Sequence, residues 1–302
     1  MAANYDIRFF ADIDEMLQQV DAVSIAVPTP FHFEIAMRCL EKGIHVFVEK
    51  PITESMIQAE TLTAAADQSG LVVQAGHIER FNPTYLELQN VLEGMTTVAV
   101  NFKRLSPYVG SNLDVDVVLD LMIHDLDLVL NMIGQEPKTL TAYGITASGG
   151  AIDHAVVSLS FTAGPIVTLT ASRLTEQKVR LIEVTTLEAY VLADLLDKSV
   201  SVHRSMTGEY LNQNQRSVKY RQESLIERIH VPAAEPLFLE LQHFVDCVLN
   251  RKTPLVTAQH GLRALRLATQ VRHALYENMA DFSLMLGTKV DAMNLPRIPQ
   301  SV

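Results

Sequence analysis

The stretch Val117-Val-Leu-Asp120-Leu-Met-Ile-His124-Asp-Leu-Asp-Leu-Val-Leu holds a carboxylate and an imidazole four residues apart in a largely apolar run. On a helix, that spacing puts Asp120 and His124 on one face and within mutual reach. A helix that is apolar nearly all round is buried, and burying these two groups is costly unless they pair or serve a site. A histidine backed by a carboxylate suits general-base chemistry, because the acid fixes the tautomer and stabilises the imidazolium. A hydrogen-bonded core pair, or an aspartate and histidine facing solvent, would have the same spacing. Asp125 and Asp127 point elsewhere on the wheel and read as structural or supporting.

A second chemical signal is Gly43-Ile-His-Val-Phe-Val-Glu49-Lys50-Pro51, an apolar β-branched run that ends in an acid, a lysine and a proline. It places Lys50 at the carboxyl end of a parallel strand, where open α/β sheets bind ligands. Acting with His124, a lysine there can hold a substrate hydroxyl and stabilise the alkoxide that forms as hydride leaves. A solvated loop lysine looks the same in sequence. Two further strand exits carry polar groups. Val27-Pro28-Thr29-Pro30-Phe31-His32 joins a strand to a helix start, whose N–H groups can hold an anionic or ribosyl group. Gly76-His77-Ile-Glu79-Arg80-Phe81-Asn82-Pro83 follows the next strand; Arg80 joins Lys50 and His124 as a candidate for substrate contact, and a hinge loop is the plain alternative. Glu49, His77, Asp120 and His124 lack the local spacing of a metal site, so no metal is expected. No G-x-S-x-G elbow occurs.

The elements that must position these residues alternate at first. Asp12 and Glu15 predict a capped short helix through Gln19, followed by a strand at 22–27. Thr29 with Pro30 predicts a helix start, with Gly43 as the stop. A strand at 45–48, a helix at 54–69 closed by Gly70, and a strand at 72–75 complete a β-α-β-α-β order. That order implies a parallel sheet with right-handed crossovers. After Gly76 the pattern changes: a helix at 83–93, a strand at 98–103 and the helix 117–133 precede five Thr/Val/Ser-rich runs between 140 and 193. Such runs, divided by short turns, predict a mainly antiparallel sheet. Residues 204–230 read as a polar excursion, and helices at 237–250 and 259–276 follow. The fold class is therefore α/β: a truncated Rossmann-like parallel domain over 1–77, then an α+β domain with a large open sheet over 78–302.

With 302 residues, 48% of them hydrophobic and 20% charged, the chain is that of a folded protein with room for two cores. A net charge of −11 disfavours sequence-independent nucleic-acid binding and anionic membrane surfaces. Cys39 and Cys247 form no CxxC pair, the N-terminus is no signal peptide, and no apolar run reaches the ~20 residues of a membrane span. The cytoplasm is the expected compartment.

Taken in order, Asp21-Ala-Val-Ser-Ile-Ala-Val-Pro-Thr-Pro-Phe-His32, Glu49-Lys50-Pro51, Asp120-x-x-x-His124 and Glu235-Pro-Leu-Phe-Leu-Glu-Leu-Gln-His-Phe244 resemble the Gfo/Idh/MocA family of NAD(P)-dependent sugar oxidoreductases. The resemblance runs over nearly the whole chain. It implies that Lys50, Asp120 and His124 are catalytic. It also implies that Pro28, Thr29, His32, Glu49 and Lys50 line NAD or NADP, with NAD favoured, and that Asn82 lies near the nicotinamide end. The family's second domain implies a homodimer or homotetramer formed through its open sheet. Within the family, 76–83 and 116–124 are most similar to UDP-N-acetylglucosamine 3-dehydrogenases, which implies oxidation at C3 of a nucleotide sugar for lipid A or other surface glycans.

One feature departs from the family. Its members begin with a strand, G-x-G-x-x-G, a helix and a second strand, and this chain starts roughly 40 residues later. It is expected to lack the helix N-terminus that neutralises the pyrophosphate and the strand beside 22–27. The chain as it stands is therefore expected to bind NAD poorly and to be soluble only as an oligomer; micromolar binding in a calorimetric titration would contradict this. The rival readings are a non-catalytic sugar-nucleotide-binding or scaffolding protein, and a family member acting on inositol or a free sugar.

Overall fold

The computed structural model describes residues 7–107, 115–147, 151–211 and 218–286. The chain forms two compact units. One comprises Met1–Pro83 and Ala233–Arg266, the other Thr84–Pro232 and Leu267–Val302.

In the first unit, Asp12 caps α1 (Ile13–Leu17) by accepting from the Asp14 and Glu15 N–H groups. Strand β1 (Ala22–Ile25) leads through a 3₁₀ turn (Thr29–Phe31) into α2 (His32–Glu41). Thr29 makes no side-chain cap there, so the predicted cap is replaced by the turn itself. Gly43, at φ +76°, takes the left-handed conformation that ends the helix and turns the chain into β2 (His45–Glu49). Ser55 and Gln58 form a reciprocal capping box for α3 (Met56–Ser69), and β3 (Val73–Gly76) completes the sheet. Both strand pairs are parallel, in the order β1-β2-β3. Along β2 the side chains alternate between faces. Phe47 meets Phe244 of α6 (Pro236–Asn250), with ring centroids 5.9 Å apart, and Val72 and Cys247 complete that cluster. The outer edge of β3 is covered by 256–257, where the Ala75 N–H donates to the Val256 carbonyl. The outer edge of β1 pairs with no strand among the described residues.

In the second unit, α4 (Pro83–Leu92) and α5 (Ile123–Ile133) are tied by the Tyr85 hydroxyl, which donates to Asn131 Oδ1 at 2.6 Å. The sheet contains β4 (Thr97–Leu105), β5 (Thr139–Ile145), β6 (His154–Ser160), β7 (Ile166–Ser172), β8 (Val179–Thr186), β9 (Tyr190–Asp194), β10 (Ser199–Leu211) and β11 (Val218–Ile229). Its order is β11-β10-β9-β8-β4-β7-β6-β5, and only the β4–β7 pair is parallel. Period-2 burial, as in Ala155, Val157 and Leu159 against Val156 and Ser158, covers one face and leaves the other open. The predicted excursion at 204–230 is instead mostly the β10–β11 hairpin. Helix α7 (Ala258–Leu286) also runs beyond the predicted end at Tyr276. No helix among the described residues is long and apolar enough to cross a membrane.

Candidate active site

In the first unit the three parallel strands end on one edge. Pro28 and Thr29 follow β1, Glu49 ends β2 with Lys50 next to it, and Gly76 ends β3. His32 is buried, and its ring joins two of these exits: Nε2 lies 2.8 Å from the Val27 carbonyl and Nδ1 lies 2.9 Å from the Pro51 carbonyl. Both partners are acceptors, so a neutral ring donates to one of them at a time. His32 therefore fixes the backbone of the rim instead of presenting its ring outward.

Glu49 is half-buried beside Lys50, whose own N–H donates to Glu49 Oε2 at 3.2 Å. Burial pushes the Glu49 carboxyl above its ordinary value, and the Lys50 N–H pulls it partly back. A raised acid favours the neutral form in the folded state, so this contribution to stability is full below the unfolded value of 4.5 and declines as pH rises through the folded one. Glu49→Gln removes that dependence. Its melting temperature relative to the parent should rise between pH 4 and pH 7, and a pH-independent difference would contradict the assignment.

Gly76 lies opposite Glu49 in register, and the approach is close. A Cβ at position 76 would lie 3.0 Å from Glu49 Cα, 3.1 Å from Glu49 Oε2 and 3.1 Å from Phe47 Cζ. The strand ends thus form a cradle that any larger residue would fill. Gly76→Ala should cost roughly 1–3 kcal/mol through overpacking, read as a lower melting temperature; an unchanged melting temperature would argue against the tight fit.

The next exit is a 3₁₀ turn, Ile78–Phe81, whose Phe81 ring meets His243 of α6 at 5.3 Å. Arg80 is buried there, and the side chain of buried Asn82 donates to Glu79 Oε2 at 2.9 Å.

The second unit carries Asp120 and His124. Residues 118–122 form a π turn, closed by the Ile123 N–H donating to the Val118 carbonyl, before α5 begins. The sequence predicts one uninterrupted α-helix over 117–133, so the π turn is a correction. π turns inside helices are frequent at functional sites. Asp120 and His124 are half-buried, whereas Val118, Met122, Ile123 and Asp125 are buried. Leu119 and Leu121 are half-buried as well, so the two candidates lie on a partly open stretch of the segment.

Several side chains fix this helix, and the sequence reading did not single out their partnerships. Asp125 and Arg104 on β4 form a buried ion pair, with Arg104 Nε 2.9 Å from both carboxylate oxygens and Nη2 2.6 Å from Oδ1. Asp116, also buried, accepts from the Val118 and Leu119 N–H groups and from Arg272 Nε at 2.6 Å. Arg173 donates to the Val115 carbonyl at 2.7 Å and to Asp153 at 2.5 Å. An aspartate ahead of an apolar helix is a legible cap signal, but Arg104, Arg173 and Arg272 are distant in the chain and nothing local marks them.

Residues 1–77 match the family model described as an oxidoreductase family, NAD-binding Rossmann fold, and residues 98–190 match the GFO/IDH/MocA C-terminal domain. The UDP-N-acetylglucosamine 3-dehydrogenase of Acidithiobacillus ferrooxidans is 30% identical over 274 residues, which cover 91% of this chain and 85% of that protein. A solved structure of that enzyme superposes with a TM-score of 0.81, covering 92% of this chain and 86% of the other. The scyllo-inositol 2-dehydrogenase (NAD(+)) of Bacillus subtilis is 25% identical, covering 79% of this chain and 70% of its own. Matched in both units and over most of its length, the chain belongs to the Gfo/Idh/MocA family and is an NAD(P)-dependent dehydrogenase.

Proposed function

We propose that this chain oxidises a sugar hydroxyl, C3 of UDP-N-acetylglucosamine, and that NAD is its oxidant. The observation that carries the reading is the half-buried placement of Asp120 and His124 on a largely apolar segment held by ion pairs. The likeness to the Acidithiobacillus enzyme supports the substrate. The β1–β3 strand ends, with the cradle at Gly76, suit a nicotinamide dinucleotide, which supplies a hydride acceptor when bound.

Pro28, Thr29, Glu49 and Lys50 would line that cofactor, with His32 holding the rim and Asn82 toward the nicotinamide. His124 accepts the proton of the sugar hydroxyl. Asp120 orients the ring and stabilises its cationic form. Lys50 serves to stabilise the charge that develops on the substrate oxygen, and Arg80 contributes to substrate binding. Residues 1–77 serve the cofactor and 78–302 the substrate and self-association. Tyr143 and Val156 are cross-strand neighbours exposed on the open sheet face, which suits a homodimer or homotetramer. NAD and nucleotide sugars are intracellular metabolites, so the cytoplasm is the proposed compartment.

The test is a substrate panel at millimolar NAD, following absorbance at 340 nm. UDP-N-acetylglucosamine should be oxidised faster than inositol or free N-acetylglucosamine. A preference for inositol would favour the polyol reading raised by the Bacillus relative. Sugar-nucleotide binding without any absorbance change would favour a non-catalytic protein.

A further inference from the structure

Three consecutive residues ahead of the π turn are held by three different parts of the second unit. The Val115 carbonyl accepts from Arg173, which follows β7. The Val117 N–H donates to the Ile152 carbonyl at 3.0 Å. Between them, Asp116 uses every acceptor it has. Its Oδ1 takes the Val118 and Leu119 N–H groups at 3.1 and 3.0 Å, its Oδ2 takes Arg272 Nε at 2.6 Å, and its carbonyl takes the Asp120 N–H at 3.0 Å.

These bonds bear directly on Asp120. The residue proposed to orient His124 hangs by its own N–H from the Asp116 carbonyl, and the turn between them is capped by the Asp116 carboxylate. His124 is fixed from the other side, because its neighbour Asp125 is locked to Arg104. The relative aim of Asp120 and His124 is thus set by two separate anchors with a π turn between them. A π turn holds one more residue per closed ring than an α turn, so losing the upstream anchor lets the register change between these two residues. The carboxylate satisfies donors that an uncapped helix start leaves open. Arg272 holds it by a charge-assisted bond.

We propose that Asp116, held by Arg272, is a positioning residue for the dehydrogenase reaction, setting the π turn so that Asp120 faces His124. The proposal rests on the catalytic assignment above, and its test separates the two. Steady-state kinetics would be measured at millimolar NAD with UDP-N-acetylglucosamine for Asp116→Ala, Asp116→Asn, Arg272→Gln, Asp120→Asn, His124→Ala and Asp116→Ala/Asp120→Asn. Asp116→Ala should lower kcat about tenfold or more, with KM for the sugar changed less than about twofold. Asp116→Asn keeps an oxygen for the two N–H groups and should recover most of that rate. Arg272→Gln should fall between the two.

In the Asp120→Asn background, adding Asp116→Ala should cost less than about twofold, because the residue being positioned has lost its function. Circular dichroism melts confirm that each variant is folded under assay conditions. A multiplicative loss in the double variant would overturn the positioning role, as would an Asp116→Ala enzyme with unchanged kcat. If His124→Ala keeps full activity, the catalytic assignment itself fails, whichever way the Asp116 series falls.

Discussion

His124→Ala should lower turnover by about 10²–10⁴-fold, the usual contribution of a positioned general base. Affinity for the cofactor should change little, because the proposed cofactor contacts lie in the other unit of the chain. His124 is half-buried, so truncation also removes packing. His124→Gln retains more volume and should be just as impaired if the loss is chemical. Turnover at millimolar NAD and tryptophan-independent cofactor binding by calorimetry together check this (the chain has no Trp). Equal losses in turnover and cofactor affinity, or no loss in turnover, would remove His124 from the proposed role.

Arg104→Ala should be the most destabilising single change around this helix. The partners are each 4% exposed in their side chains, and the contact is bidentate. Removing one member leaves the Asp125 carboxylate buried without its cation, at a cost of about 3–5 kcal/mol. At about 2–4 °C per kcal/mol, the melting temperature should fall by roughly 6–20 °C. Replacing both partners by apolar residues, as in Arg104→Met with Asp125→Leu, should recover much of that loss, since a well-packed apolar pair avoids the desolvation cost. A small shift for Arg104→Ala, or a double variant no better than the single one, would mean that the pair does not anchor the helix. Activity is the second readout: Asp125 adjoins His124, so recovered stability without recovered turnover would show that the pair also aims the imidazole.

Local patterns made most of the fold legible. The glycines at 43 and 70, the proline at 30 and the alternating strands placed β1 to β3 and β5 to β9 close to their observed spans. What escaped depended on distant partners. The 204–230 segment is rich in Ser, Gln and Arg and read as an excursion. Its hairpin is held by strand pairing that runs through Leu211, while β9 accompanies it only over Ser199–His203. A ribbon that reaches beyond its sheet needs no apolar stripe along its whole length, so the signal on which strand reading depends is weak.

The site was legible in the same uneven way. Asp120 and His124 stood out because a carboxylate and an imidazole are costly within an apolar helix. Lys50 stood out because it ends a buried strand. The π turn over 118–122, which contains Asp120, did not, since the Asp116 carboxylate that caps its start is held by Arg272, 156 residues away. The family resemblance implies that His32 lines the cofactor, and its two ring contacts with the Val27 and Pro51 carbonyls, which no local pattern signals, give it a loop-holding role as well. Spacing alone distinguishes poorly between a residue that touches a ligand and one that holds the loop that does.

The proposed hydride transfer from C3 can be followed through one hydrogen. UDP-N-acetylglucosamine carrying deuterium at C3 would be incubated with the protein and millimolar NAD, and the reduced cofactor analysed by mass spectrometry. The reduced cofactor should be one mass unit heavier than that formed from unlabelled sugar, with none of the extra mass when the label is placed at C4. Reduced cofactor without the C3 label, or no reduced cofactor from this sugar when inositol yields it, would contradict that transfer.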